Sequence, residues 1–319
     1  MVMKYINLKR IEFVITYHCT GRCKHCSVGD AINKGKDHCI RKDKAVEAIE
    51  TLARLYDIES VMTFGGEPLL YPDVVCAIHK KAKECGIEKR QLITNGYFSK
   101  GRAKIIKTVS DLCQAGVNDI LLSVDSFHQE RIPIEPVYVF AKAALSRIHR
   151  VRLHPAWVVD QAQINRYNQD TQEILDRFSD LNIEISHGNN IFMAGNAVKY
   201  LSDFYKKPEL DLSISCGEMP YTSPLDDVTT LSIEPDGSVV ICCFNIGNIY
   251  TEDIETIVKK YDPYKNTYMK TILESGIRGL VDYARTKGIT IDIEKFYSAC
   301  EVCRTLVSRL SKQSYLEMD

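Results

Sequence analysis

Long apolar runs are missing from this 319-residue chain. A membrane-spanning helix needs about 18–20 consecutive apolar residues, and the N-terminus lacks the apolar core of a signal peptide. The chain is therefore expected to be cytoplasmic, with no membrane partner. An excess of one charge is also missing: 41 Lys and Arg stand against 42 Asp and Glu, a formal net charge of −1. A broad nucleic-acid surface would show as a basic excess, so no nucleic-acid partner is expected. There is no low-complexity tract, and no repeat beyond an alternation of strands and helices. Only about ten residues precede the first expected strand, so no separate peptide-recognition domain is expected ahead of it. What remains is an ordinary globular composition, 45% hydrophobic and 26% charged, with length for a barrel-sized domain and a smaller one.

Cysteine, by contrast, is abundant. Twelve are present in a chain without export features, where disulfides are rare. Cys19, Cys23 and Cys26 cluster at the front, and Cys216, Cys242, Cys243, Cys300 and Cys303 lie in the last third. Cys76, Cys85 and Cys113 fall in helical stretches and read as buried small apolar residues; Cys39 has no assignment. The front group reads Cys-Thr-Gly-Arg-Cys-Lys-His-Cys, a C-x3-C-x2-C spacing directly after an apolar run. Three thiolates on one loop can hold three irons of a [4Fe–4S] cube and leave the fourth without a protein ligand. A structural zinc site wants four ligands, usually in two C-x2-C-like pairs, and this loop offers three at uneven spacing.

Strands are expected at Ile11–Tyr17, Ser60–Phe64, Gln91–Thr94, Asp119–Val124, Val151–Val158 and Ile183–Ser186. Helices are expected between them at Lys42–Leu55, Asp73–Cys85, Gly101–Ala115, Pro136–Arg147 and Thr171–Leu181. In the first helix Ala45, Ile49, Leu52 and Leu55 recur at three- and four-residue steps, one apolar stripe. Six strand–helix units imply an α/β fold with parallel strands and right-handed crossovers. Either an open doubly wound sheet or a partial barrel satisfies that pattern, and both bind ligands at the C-terminal strand ends. Beyond Pro208 the character changes. Thr229–Glu234, the turn Asp236-Gly237 and Ser238–Cys242 read as a hairpin, followed by helices near Glu252–Lys260, Asn266–Thr286 and Val302–Leu310. Residues Asn189–Pro208 read as the linker. The expected domains are residues 1–190 and 191–319.

The second strand ends in Gly65-Gly66-Glu67-Pro68, the third in Thr94-Asn95-Gly96 and the fourth in Ser123-Val124-Asp125-Ser126. With the cysteine loop after the first strand, residues 8–190 resemble the radical S-adenosylmethionine (radical SAM) enzymes. The resemblance implies a partial (β/α)6 barrel. Its [4Fe–4S] cluster would be held by Cys19, Cys23 and Cys26, with S-adenosylmethionine chelated on the open iron. Gly65, Gly66, Glu67 and Pro68 would receive the methionine amino group, and Ser123 or Asn95 would lie near the ribose. His25 stands where the family usually has an aromatic residue beside the cofactor. One electron would cleave the sulfonium to methionine and a 5′-deoxyadenosyl radical, which takes a hydrogen from the substrate. The fifth strand lacks the family's glycine-rich adenine-binding pattern.

The last third is similar to the auxiliary-cluster domain (Twitch, the shorter relative of SPASM). That likeness implies a second [4Fe–4S] cluster on Cys216, Cys242, Cys300 and Cys303; four cysteines with a C-x2-C pair suit zinc equally well. Successive strand side chains point to opposite faces, so Cys243 is expected to turn away from the cluster that Cys242 binds. It then reads either as a packed thiol or as a hydrogen-atom donor. The Cys-Cys pair and final C-x2-C resemble epipeptide-type peptide epimerases over residues 216–306. The substrate is accordingly expected to be a ribosomally made peptide, epimerised at an α-carbon. Radical oxidation or cross-linking of a peptide, or dehydrogenation of a small molecule, is the alternative. An iron–sulfur electron carrier or sensor would leave the strand-end motifs unexplained. A flavodoxin or ferredoxin is the expected electron donor. Asp125 is the candidate substrate contact among the strand-end polar residues Ser126, His128, Arg152 and His154.

Overall fold

The computed structural model describes residues 4–34, 39–219 and 222–316. Two compact units are present. One comprises Lys9–Tyr205 with Ser232–Gly237, and the other takes the rest of the described chain.

The first unit is built on β1 (Ile6–Val14), β2 (Ser60–Phe64), β3 (Lys89–Thr94), β4 (Asp119–Leu122) and β5 (Arg150–Leu153). Helices α1 (Lys42–Leu55), α2 (Pro72–Glu84) and α3 (Arg102–Ala115) connect the first four strands. A four-residue helix α4 (Ser126–Gln129) and then α5 (Ile134–Leu145) lead to β5. Beyond β5 come β6 (Ala156–Trp157), α6 (Arg166–Asp176), β7 (Glu184–Ile185), β8 (Asn189–Asn190) and α7 (Asn196–Leu201). All neighbours in the order β1-β2-β3-β4-β5-β7 pair in parallel. From β1 to β5 each strand thus lies beside the next in sequence; β7 follows β5, while β6 pairs with β8 in a separate two-stranded sheet. A doubly wound sheet would reverse its order at a switch point, so the partial barrel is the form adopted.

Burial follows the pleat. In β1, Ile11 and Phe13 are fully buried under the helices, whereas Arg10 and Glu12 on the other face are part-exposed. The facing layer continues as a polar network: Arg10 donates to Gln91 (3.1 Å), Gln91 to Asp119 (2.8 Å), and Arg152 to both Asp119 oxygens (2.7 and 2.8 Å).

The first strand begins and ends earlier than expected, at Ile6 and Val14, leaving the cysteines on a free loop. The expected Val151–Val158 strand breaks at Pro155, which has no N–H for the ladder, and resumes as β6. The expected linker 189–208 is structured, carrying β8 and α7. Cys76, Cys85 and Cys113 are partly exposed rather than buried.

The C-terminal stretch begins with β9 (Val228–Ile233), which leads through Asp236-Gly237 into β10 (Ser238–Ile241); of it, Ser232–Gly237 belong to the first unit and the rest to the second. Strand β10 pairs antiparallel with β11 (Phe244–Asn248), which the sequence reading missed. Helices α8 (Ile254–Lys260), α9 (Thr267–Thr286) and α10 (Ala299–Leu316) complete it. No helix among the described residues is long and apolar enough to cross a membrane.

Leu52, fully buried on the α1 stripe, gives the core test. Leu52→Ala should lower unfolding stability by about 2–5 kcal/mol through the cavity it leaves. Ile164→Ala, at an 84% exposed position, should change stability by less than about 0.5 kcal/mol. Urea denaturation of both variants checks the contrast.

Candidate functional site

The loop after β1 and the ends of β2 and β3 are knotted together by backbone. Gly66 N donates to Thr16 O and Glu67 N to His18 O, both at 2.7 Å. This approach requires glycine: a Cβ on Gly65 would meet Thr16 O at 2.5 Å, and one on Gly66 would meet His18 O at 2.1 Å. Glu67 then closes the knot from beneath. Its carboxylate is fully buried and accepts from Thr94 Oγ1 (2.6 Å), Asn95 N (2.8 Å) and Leu69 N (2.9 Å). Burial pushes its pKa up to about 6, with those three donors pulling the other way. The expectation that Glu67 receives the amino group is corrected for its side chain, which is committed to the protein; of the backbone carbonyls of Gly65–Pro68, those of Glu67 and Pro68 already accept from Leu70 N (3.2 Å) and Tyr71 N (3.0 Å).

Asn95 joins the same knot. It is 4% exposed, and its Nδ2 points to Thr20 Oγ1 (3.2 Å) and Cys19 Sγ (3.7 Å). Gly21 N donates to Cys19 Sγ at 3.3 Å. A Cβ on Gly21 would sit 3.2 Å from Cys23 Sγ and 3.6 Å from Cys19 Sγ, so this glycine lets the loop fold over its sulfurs. Asn33 holds both backbone groups of Cys19 (2.9 and 3.2 Å). Asn196, at the start of α7, holds Cys26 O (2.9 Å) and Cys23 O (3.1 Å). Sequence reasoning missed Asn196; the small residues Ala194-Gly195 before it were the available signal. Without a metal, burial pushes the Cys19 thiol up to about 12, and metal binding would release that proton.

Ser123 is part-exposed at the end of β4. Asp125 is not a substrate contact. Its carboxylate is fully buried and caps α4, accepting from Phe127 N and His128 N (both 3.0 Å), from Ala156 N (3.1 Å), and from His128 Nδ1 (2.9 Å to each oxygen). Burial would raise its pKa, but His128 overrides that and holds it at about 2. His128, His25 and Cys23 present ligand atoms within 4.8 Å of one another. The His25 ring lies 5.0 Å from both Phe127 and His128, and its Nδ1 is enclosed without a hydrogen bond. Burial lowers its pKa to about 4, so it stays neutral.

In the second unit Cys216, the Cys242-Cys243 pair and the first turn of α10 converge. Cys216 Sγ lies 3.8 Å from Cys242 Sγ, and Cys243 Sγ 4.0 Å from Cys303 Sγ. Cys300 Sγ packs on Met219 Sδ at 3.2 Å. Strand alternation does not govern the pair, contrary to expectation. Ile241 pairs with Phe244, so Cys242 and Cys243 are the two-residue turn of a hairpin. Cys242 has φ +56°, as the first position of such a turn requires. Cys243 therefore does not turn away; its sulfur joins the group.

Residues 13–160 match the model of the Radical SAM superfamily. This chain carries a radical SAM domain. A GTP 3′,8-cyclase from Limosilactobacillus fermentum is 31% identical over 121 residues, 38% of this chain and 34% of that protein. One from Aquifex aeolicus is 33% identical over 126 residues, 39% and 37% of the two chains. The matched stretch thus spans about a third of those curated relatives. The solved structure of native anSMEcpe with bound AdoMet covers 78% of this chain and 80% of its own, with TM-score 0.50 and 14% identity, a likeness of fold alone. The radical SAM family implies a [4Fe–4S] cluster and S-adenosylmethionine. The Cys19–Cys26 loop fits such a cluster in donor type, with N–H groups aimed at the Cys19 sulfur.

Glu67→Ala should strand three buried donors and cost at least about 2 kcal/mol. Because the folded pKa of Glu67 is raised, the folded state binds its proton more tightly than the unfolded chain does. Its contribution is therefore present below about pH 4.5 and lost as pH rises through about 6. The stability difference between wild type and Glu67→Gln, followed by denaturation from pH 4 to 7, should show that loss.

Proposed function

We propose that this chain cleaves S-adenosylmethionine reductively and takes a hydrogen atom from a substrate, with Cys19, Cys23 and Cys26 as cluster ligands. The observation that carries this reading is the knot joining the cysteine loop to the ends of β2 and β3 through Gly66, Glu67 and Asn95. When bound, the cluster supplies the electron for sulfonium cleavage, and a flavodoxin- or ferredoxin-type donor in the cytoplasm replenishes it. The protein's own part is to hold the loop and to offer backbone carbonyls at Gly65–Pro68 to the methionine amino group. Ser123 stands at the neighbouring strand end, for the ribose.

We further propose a second [4Fe–4S] cluster in the C-terminal unit. Five thiols converge where a cube takes four, which leaves one over. This supports α-carbon epimerisation of a ribosomally made peptide. The spare S–H would break, a C–H bond would form on the face opposite to abstraction, and the thiyl would then take one electron and one proton from the reducing system. The spare thiol is Cys242 or Cys243, since both belong to the turn.

The anaerobically reconstituted protein should form 5′-deoxyadenosine from S-adenosylmethionine and dithionite, and Cys19→Ala, Cys23→Ala and Cys26→Ala should each abolish it. Iron should fall from about eight per chain to about four in the triple variant; zinc at the C-terminal cysteines would overturn the second cluster. Of Cys242→Ala and Cys243→Ala, one should keep all its iron and its 5′-deoxyadenosine while forming no inverted peptide. If both variants formed it unimpaired, the epimerase reading would fall.

A further inference from the structure

We propose that an acidic electron-donor protein of flavodoxin type docks on the α4–α6 side of the cysteine loop, with Phe204 as the apolar contact and Arg22, Arg131 and Arg166 as the charges that attract it. The inference rests on the reading that Cys19, Cys23 and Cys26 hold a cluster, and it gives that cluster's partner a place on the chain. Four rings lead from the surface to the loop. Phe204 is 37% exposed and meets the Tyr167 ring edge-on, 5.6 Å between centroids. Tyr167 stacks on Phe127 at 4.8 Å, and Phe127 lies 5.0 Å from the His25 ring. His25 stands between Cys23 and Cys26 in the chain. Tyr167 and Phe127 are buried, so close-packed rings rather than water separate a protein seated on Phe204 from the loop. Electrons cross a filled path more readily than a gap.

Cations gather around the same rings. The Arg166 guanidinium lies 4.6 Å from the Tyr167 centroid and donates to its hydroxyl (2.7 Å). The Lys24 ammonium lies 5.8 Å from that centroid and pairs with Glu130 at 2.6 Å. Arg131 follows Glu130 in the chain, and the next residue, Ile132, comes within 3.6 Å of where a Cβ on Gly21 would sit, which sets Arg131 and Arg22 on neighbouring segments. Arg22, Arg131 and Arg166 are exposed, and none of them makes an ion pair among the described residues. In a chain of net charge −1, three arginines without counter-ions beside one loop make a local positive field. Such a field steers an acidic protein and speeds its encounter. An apolar contact with charges around it suits the small, transient interfaces of redox partners. In the encounter the reduced donor gives up one electron, which the cluster takes up; no bond forms or breaks.

The test measures flavodoxin binding to the reconstituted full-length protein by calorimetry, and 5′-deoxyadenosine formation with reduced flavodoxin or with dithionite. The double variant Arg131→Glu, Arg166→Glu should keep its iron and its dithionite-driven rate, yet bind flavodoxin at least about tenfold more weakly. Its KM for reduced flavodoxin should rise alike. Wild-type affinity should fall from about 50 to 200 mM salt, and the variant's should fall less. Phe204→Ala should weaken binding without altering that salt dependence. Lys80→Glu, an exposed charge on α2, should change neither quantity. Unchanged affinity in the iron-replete double variant would overturn the proposal. An equal loss of the dithionite-driven rate would also overturn it, since the arginines would then serve the fold or the substrate. A wild type that turns over with dithionite but binds no flavodoxin would overturn the docking site and leave the cluster reading standing. If neither reductant yielded 5′-deoxyadenosine, the cluster reading itself would fail, and the docking site with it.

Discussion

The buried carboxylate of Glu67 is the constraint on which the candidate site depends. It takes donors from three places: its own turn at Leu69, and Thr94 and Asn95 at the end of β3. The backbone of the same turn donates to the cysteine loop. A fully enclosed carboxylate is costly unless its hydrogen bonds are made, so the arrangement is close to all-or-none. With the donors in place, three chain segments are fixed within hydrogen-bond distance. If the carboxylate were lost, each segment would keep an unsatisfied buried group.

A second buried carboxylate, Asp125, bonds His128, whose ring nitrogen groups with His25 and Cys23 of the cysteine loop. Glu67 is satisfied by neutral donors, and burial raises its pKa; for Asp125 the opposing effect of burial is outweighed by the His128 ring bonded to it, and its pKa falls. The loop thus has an amide, Asn95, against Cys19 and an imidazole, His128, near Cys23. That asymmetry is electrostatic, and it arises although both acids end parallel strands of one sheet.

In the C-terminal unit the organising element is a two-residue turn. Closing β10 onto β11 through Cys242 and Cys243 brings two adjacent sulfurs to one cluster of thiols, which a continuous strand could not do. The turn holds Cys242 at positive φ, a conformation that a non-glycine residue adopts at a cost of order 1–3 kcal/mol and that concentrates at functional sites.

The strand–helix alternation, the apolar stripe of α1, the range Ser60–Phe64 and the Asp236-Gly237 turn were legible in the sequence, because each depends on periodicity or turn chemistry within a few residues. So was the grouping of Cys19, Cys23 and Cys26 on one loop, because their spacing is local. What only the tertiary structure decided involves partners far apart in the chain. Asp125 reads as an exposed strand-end acid until Ala156 and His128 close on it. Asn196 reads as linker until α7 reaches Cys23 and Cys26. Cys242 and Cys243 read as strand until β11, with its weak pattern of Phe244-Asn245-Ile246-Gly247-Asn248, pairs back on β10. Local sequence sets which conformations a segment favours. Which buried donor meets which carboxylate is settled only when the strands register against one another, because the energy of satisfying a buried polar group belongs to the pair and to neither segment alone.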